Sequence, residues 1–317
     1  MRALVFNNGL RFEADYPDPV PKPGEALIKV SLAGICRTDL EIAKGYMGFS
    51  GVLGHEFVGR VCRSSQSYLI GQRVVGEINC GCGKCSWCLS GLARHCPQRT
   101  VLGILGREGV LADYVCLPQA NLHPVPDEVD DLEAVFVEPL AAAFEILEQV
   151  HLKPGQQVLV LGDGKLGLLT GQVLRLAGAR VRLAGKHPDK LAIAKSLGLD
   201  AVPVDQLSDE RFDIVVEASG SAGGLSLAMR KVKSRGVIVQ KSAIAQSISL
   251  DIAPLVIGEI TLLGSRCGPF APALRALAAH QVQVKPLISH QFPLDSGLAA
   301  FEQAAQRDSL KVIINVQ

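Results

Sequence analysis

The stretch VLVLGDGKLG, Val158–Gly167, decides how the chain is organised. Val158–Leu161 is a short apolar run rich in β-branched residues and reads as a buried strand. The turn Gly162-Asp163-Gly164-Lys165-Leu166-Gly167 follows with the spacing GxGxxG and opens a helix-like run, Leu166–Ala177. Alone that spacing is a weak signal; between a strand and a helix it predicts a dinucleotide site. The first glycine makes the tight turn, the second lets backbone approach a pyrophosphate, and the third lets helix and strand pack closely. The helix N-terminus adds free N–H groups and partial positive charge. Gly162, Gly164, Lys165, Leu166 and Gly167 are therefore the candidate phosphate-binding residues. The competing reading is an ordinary α/β turn with spare glycines.

Downstream the rhythm continues, with strands at Val181–Leu183, Asp213–Glu217 and Gly236–Gln240 and a helix at Lys190–Leu197. Strand, helix, strand in this alternation predicts βαβ units and a parallel sheet. An NAD site usually places an acid at the end of the second strand, to hold the ribose 2′-OH. Here the strand runs out as Ala184-Gly185-Lys186-His187. Gly185 leaves room, and Lys186 and His187 offer positive charge for a 2′-phosphate, so NADP is expected over NAD. The competing reading makes Lys186 a solvated surface lysine and His187 a turn residue.

Upstream, residues 1 to about 120 are β-rich, with short strands such as Ala26–Leu32, Phe57–Val61, Arg73–Gly76 and Ala112–Leu117 divided by Gly and Pro turns. A helical pattern, Ala141–Val150, precedes the glycine loop. Near the chain's end come an amphipathic helix, Ala271–Ala279, and a strand, Lys311–Val316. Within the β-rich part lies GCGKCSWCLSGLARHC, whose Cys82, Cys85, Cys88 and Cys96 are three, three and eight residues apart. Four thiolates so close suit one structural Zn²⁺. Disulfides between residues three apart are strained, and a chain of this size does not need them. Cys36, His55, Glu56 and Glu138 are candidates for a second metal site, although each taken singly has a bland explanation.

The bulk numbers exclude several classes. The 317 residues suit two domains, and 48% hydrophobic with 20% charged residues is ordinary globular composition. A formal net charge of +1 leaves no electrostatic footprint for nucleic acid or an anionic membrane. No apolar run approaches the ~20 residues of a membrane span. MRALVFNNG at the N-terminus reads as a strand rather than a signal peptide. Nine cysteines without an export signal suit a reducing compartment, so a cytoplasmic protein is expected.

Taken together, the motifs resemble those of the zinc-dependent medium-chain dehydrogenase/reductase family, which includes alcohol, polyol and threonine dehydrogenases. The resemblance rests on Cys-x-Thr-Asp at Cys36–Asp39, Gly-His-Glu at Gly54–Glu56 and the Cys₄ lobe, together with Glu-Pro-Leu-Ala at Glu138–Ala141 and the loop Gly162–Gly167. It implies an α/β protein with a partly opened, GroES-like β-barrel catalytic domain, 1–139 and 268–317. A doubly wound parallel-sheet Rossmann domain would fill 140–267. It implies one catalytic and one structural Zn²⁺, with Cys36 and His55 as catalytic ligands and either Glu56 or Glu138 as the third. Thr38 matches the family's proton-relay hydroxyl, and it also stands where a helix N-cap could be. Asp39 is expected to orient a metal ligand. Where many relatives carry a histidine three residues after the relay hydroxyl, this chain has Glu41. Lys311 matches a basic position that often reaches the cofactor pyrophosphate, and Arg266 one near the substrate. The implied reaction is hydride transfer between an alcohol or polyol, or the matching carbonyl, and NAD(P). A biosynthetic dehydrogenase of a sugar, cyclitol or amino-alcohol is the alternative, and a non-catalytic NADP(H)-binding protein a more distant one. A homodimer or homotetramer is expected, with Ile260–Leu263 available to pair across a two-fold.

Overall fold

Val158, Leu159, Val160 and Leu161 are all buried, and their strand, Gln157–Leu161, lies inside a sheet of six parallel strands in the computed structural model. The described residues are 1–243, 247 and 249–317. They divide into two units: Met1–Glu138 with Ala273–Ala279 and Ile288–Gln317, and Pro139–Pro272 with His280–Leu287.

In the second unit the strand order is Asp200–Pro203, Arg180–Gly185, Gln157–Leu161, Phe212–Glu217, Val232–Gln240, Thr261–Gly264. Val158 pairs with Val181 on one side and Ile214 on the other. The order thus reverses beside Gln157–Leu161, the place where open parallel sheets bind ligands at the carboxyl ends of their strands. Leu159, Leu161, Phe212, Val215, Leu225, Met229 and Ile238 form the core on one face. The helix Lys165–Leu176 is buried from Gly167 through Leu174. A Cβ at Gly171 would stand 2.9 Å from Leu199 Cδ1, so this glycine sets how closely the helix can pack.

In the first unit the long strand Glu25–Gly34 is the hub. It pairs antiparallel with Glu56–Arg63, Tyr114–Pro118 and Lys311–Asn315. Its register puts Gly34 opposite Glu56 on one side and Ile313 on the other. The cysteine lobe carries its own small sheet, Asn79–Cys80, Thr100–Leu102 and Gly106–Arg107.

The C-terminal tail divides more finely than at residue 268. Gly268–Pro272 and His280–Leu287 group with the parallel-sheet unit. A Cβ at Gly268 would stand 1.9 Å from the Ala141 carbonyl oxygen, so that backbone approach needs glycine. Gln172 exchanges two hydrogen bonds with the Gln283 backbone, at 3.0 and 2.8 Å.

Candidate active site

Asp39 is fully buried and ties together three neighbours. Its Oδ2 accepts from the Cys36 N–H at 2.7 Å, its Oδ1 accepts from the Gly54 N–H at 3.2 Å, and His55 Nδ1 lies 3.2 Å from Oδ1. The first bond belongs to the N-terminus of the short helix Arg37–Ile42, whose N-cap is Cys36 and whose third residue is Asp39. Thr38 is therefore inside the helix rather than its N-cap, and its Oγ1 lies 3.8 Å from Cys36 Sγ. Gly54 has φ +93, and a Cβ there would stand 2.6 Å from Leu111 Cγ, so the residue before His55 must be glycine. Burial alone pushes the His55 imidazole down. The carboxylate of Asp39, aided by Cys36, outweighs this and holds it well above its usual value. An imidazole held at Nδ1 by a carboxylate keeps Nε2 for a ligand.

Ligand atoms of Cys36, His55 and Glu56 all lie within 4.8 Å of one another. One thiol, one imidazole and one carboxylate are a donor set that suits zinc with a position left for substrate. Glu138, at the start of the helix Val137–Gln149, does not join that group. Glu56 is fully buried with its Oε2 against Lys311 Nζ, which is also fully buried and lies 5.4 Å from the centre of the Phe136 ring. Lys311, expected at a pyrophosphate, thus has no exposed surface and faces the metal-ligand cluster. The reason is its strand: Lys311–Asn315 pairs beside Gly34, whose missing side chain leaves the space that the two charges share. Glu41 is engaged by Arg37 at 2.9 Å and Lys44 at 3.3 Å on the helix surface.

In the lobe, Cys82, Cys85, Cys88 and Cys96 bring their sulfurs together, with separations of 4.0 Å (Cys82 to Cys88), 3.6 Å (Cys85 to Cys88) and 3.7 Å (Cys85 to Cys96). A tetrahedron of sulfurs about 2.3 Å from a zinc has edges of about 3.8 Å. Backbone N–H groups point at them. Those of Lys84 and Cys85 hold the Cys82 thiol down, to about 6, and that of Cys82 lowers Cys96. The four thiols are free of disulfides, and Cys80 stands outside the group. The site fits a closed zinc.

The glycine loop has the features that its spacing predicts. A Cβ at Gly167 would stand 2.0 Å from the Gly162 carbonyl oxygen, and one at Gly162, with φ +123, 2.6 Å from that of Ala218. A Cβ at Gly164 would meet nothing within 4 Å, so the loop is open on that side. Gly164 caps the helix Lys165–Leu176 without a side-chain hydrogen bond. Lys165 and Leu166 form that helix's first turn and are half-buried. Lys186 is exposed, while His187 caps the helix Pro188–Ser196.

The room expected above Gly185 is filled. A Cβ there would stand 2.3 Å from Asp163 Oδ2 and 2.4 Å from Asp163 Cβ. Asp163 Oδ2 accepts from the N–H groups of Lys186 at 2.6 Å and His187 at 2.7 Å, and the His187 ring meets Oδ1 at 3.0 Å. Sequence reasoning missed this contact; the available signal was an acid at the second position of the glycine turn. Arg266 is exposed, and its carbonyl accepts from Lys241 Nζ at 3.0 Å.

Comparison with known proteins agrees with this geometry. Residues 22–127 match the alcohol dehydrogenase GroES-like domain family, and residues 166–280 the zinc-binding dehydrogenase family. The chain is 30% identical to sorbitol dehydrogenase of Halalkalibacterium halodurans, over 99% of each chain. It is 33% identical to L-threonine 3-dehydrogenase of Streptomyces coelicolor, again over 99% of each. A zinc-binding dehydrogenase target from Sinorhizobium meliloti 1021, solved bound to NADP, superposes with a TM-score of 0.91 at 27% identity over 99% of each chain.

Proposed function

This chain belongs to the zinc-dependent medium-chain dehydrogenase/reductase family, an oxidoreductase lineage, and from that premise we propose hydride transfer between an alcohol or polyol, or the matching carbonyl, and a nicotinamide dinucleotide. The observation that carries this reading is Asp39, which holds Cys36, Gly54 and His55 in one cluster beside Glu56, with Cys36 half-buried at its open side. Cys36, His55 and Glu56 are the proposed catalytic-zinc ligands, with Glu138 outside the set; Cys82, Cys85, Cys88 and Cys96 hold a structural zinc. A zinc held by the first set would supply Lewis acidity toward the substrate oxygen, and a nicotinamide cofactor bound at the glycine loop would supply the hydride chemistry.

The chain's own residues do the rest. Thr38 Oγ1, beside Cys36, accepts the proton that leaves the substrate hydroxyl in oxidation while passing its own hydroxyl proton on toward water, and the exchange runs backwards in reduction. Asp39 fixes the tautomer and orientation of His55. Lys311 offsets the charge of Glu56, so that a carboxylate can be kept ionised in a buried place. The backbone of Gly162–Gly167 and the start of the helix Lys165–Leu176 receive the cofactor's pyrophosphate.

Similarity to sorbitol and threonine dehydrogenases supports a substrate with a second polar group next to the reacting alcohol, either a polyol or an amino-alcohol. The test is a panel of simple alcohols, polyols, sugar alcohols and amino-alcohols with both nicotinamide cofactors, followed by nicotinamide absorbance alongside elemental analysis. Turnover with two zinc equivalents per chain is expected. A fully zinc-loaded protein that turns over none of these classes would overturn the reading.

A further inference from the structure

A carboxylate stands at the end of the second parallel strand after all, but it comes from another part of the chain. We propose that Asp163 is the residue that reads the adenosine ribose of the cofactor, and that it favours NAD(H) over NADP(H). This deepens the function proposed above and rests on its dinucleotide site.

In open parallel sheets of this topology, the acid that holds the ribose 2′-OH projects from the end of the second strand. In this chain that position is Gly185, which has no side chain. The volume that a side chain would take there holds the Asp163 carboxylate, since a Cβ on Gly185 would fall 2.3 Å from Oδ2 and 2.6 Å from Cγ. The glycine at 185 and the acid at 163 are therefore complementary: the loop can place its carboxylate there only because the strand ends in glycine.

The carboxylate is fixed and charged. Its side chain is 9% exposed, with three donors from Lys186 and His187 around it. Burial alone raises its carboxyl, but the hydrogen bonds from His187 and Lys186 outweigh this and hold it below the usual carboxylate range. A carboxylate has about four acceptor positions, and these donors use three, so one remains for a ribose hydroxyl. A 2′-phosphate in the same place would bring about two negative charges against it. His187, one of the two cations that argued for NADP, already faces Asp163 through Nδ1. On this proposal the preferred cofactor is NAD(H) in place of the NADP expected from Lys186 and His187.

The test is direct binding of NADH and NADPH to the zinc-loaded protein, by calorimetry or cofactor fluorescence, with no turnover required. Wild type is expected to bind NADH at least ~10-fold more tightly than NADPH. Asp163→Asn keeps an oxygen for the backbone N–H groups and should bring the two dissociation constants close together. The double change D163G/G185D moves the acid back onto the strand, where the backbone of Gly185 is not left-handed. It should restore the preference for NADH, an outcome that a purely structural cap does not produce. Tighter or equal NADPH binding by wild type would overturn the proposal while leaving the dinucleotide site standing. An unchanged ratio in Asp163→Asn would do the same. Binding of neither cofactor would overturn both.

Discussion

Lys311 Nζ is packed against Glu56 Oε2 with both side chains fully buried, and Gly34 backs the pair. Taking one charge from such a pair leaves the other uncompensated. Lys311→Met should lower stability by about 3–5 kcal/mol. The double variant K311M/E56Q should recover much of that loss, as read by urea denaturation of the metal-free proteins, in which no zinc offsets Glu56. Gly34→Ala should also destabilise, because its Cβ would stand 2.6 Å from Glu56 Oε2 and 2.9 Å from Val135 Cγ1. Equal stability of Lys311→Met and wild type would show that the pair is not electrostatically coupled.

Asp39 and Thr38 should separate metal positioning from proton transfer. Asp39→Asn loses the carboxylate that faces His55 Nδ1, and should weaken zinc affinity or activity by ~10–100-fold. Competition with a chromogenic chelator measures the first. Thr38→Val should lower kcat by roughly 10²-fold while leaving zinc content and cofactor affinity unchanged. Glu41→Gln should leave the pH–rate profile as it was, because Glu41 is held by Arg37 and Lys44.

The two proposed zinc sites should be lost independently. Cys85→Ser should remove one metal equivalent and lower Tm, since Trp87, Leu89 and Leu92 between the cysteines are exposed rather than packed in a core. Cys36→Ser should remove the other equivalent and abolish turnover with the lobe still loaded. Elemental analysis of both variants decides between this and a shared site.

Acid stability should depend on the Arg2–Asp113 clamp, in which Arg2 Nη2 meets Asp113 Oδ1 at 2.7 Å and the Arg2 N–H donates to Oδ2 at 2.6 Å. Burial alone raises the Asp113 carboxyl, and the contacts with Arg2 outweigh it and hold it below the usual range. A carboxyl lowered on folding stabilises the protein above its unfolded pKa. That stability is lost as pH falls through the folded value. Asp113→Asn should therefore cost about 1 kcal/mol at neutral pH, since the Arg2 side chain is 42% exposed and solvent screens the pair, and the difference from wild type should shrink below the ordinary carboxylate range. A difference that does not change with pH would remove the charge from the argument.

Among the described residues the strand Thr261–Gly264 is the last of the parallel sheet; its Leu262 is 42% exposed, and Val256 and Ile257 of the preceding helix are 74% and 84% exposed. A second copy pairing along this edge would cover both the strand and the exposed apolar side chains. Leu262→Lys should then shift a dimer toward monomer in light scattering, with the zinc content unchanged. A wild-type monomer at high concentration would exclude this contact.

Much of this protein is legible because its signals are local. The run Val158–Gly167 predicts strand, turn and helix, and the structure has Gln157–Leu161 followed by Lys165–Leu176. The four clustered cysteines are similarly plain, since metal-ligand spacing is a property of a short segment. Contacts between distant segments were not legible. Lys311 reads as a cofactor-facing cation until its strand pairs beside Gly34 and turns it toward Glu56.

By itself, the sequence determined the two-part α/β architecture, the cysteine lobe, the glycine loop and the candidate ligands Cys36, His55 and Glu56, because period, turn chemistry and spacing act over a few residues. The tertiary structure alone decided that Asp39 joins Cys36 to His55, that Glu56 rather than Glu138 lies beside Cys36 and His55, and that Asp163 fills the space above Gly185. Each of these depends on which strand ends lie side by side. Charge and space at a buried site are set by neighbours far away in the chain, and no local pattern encodes them.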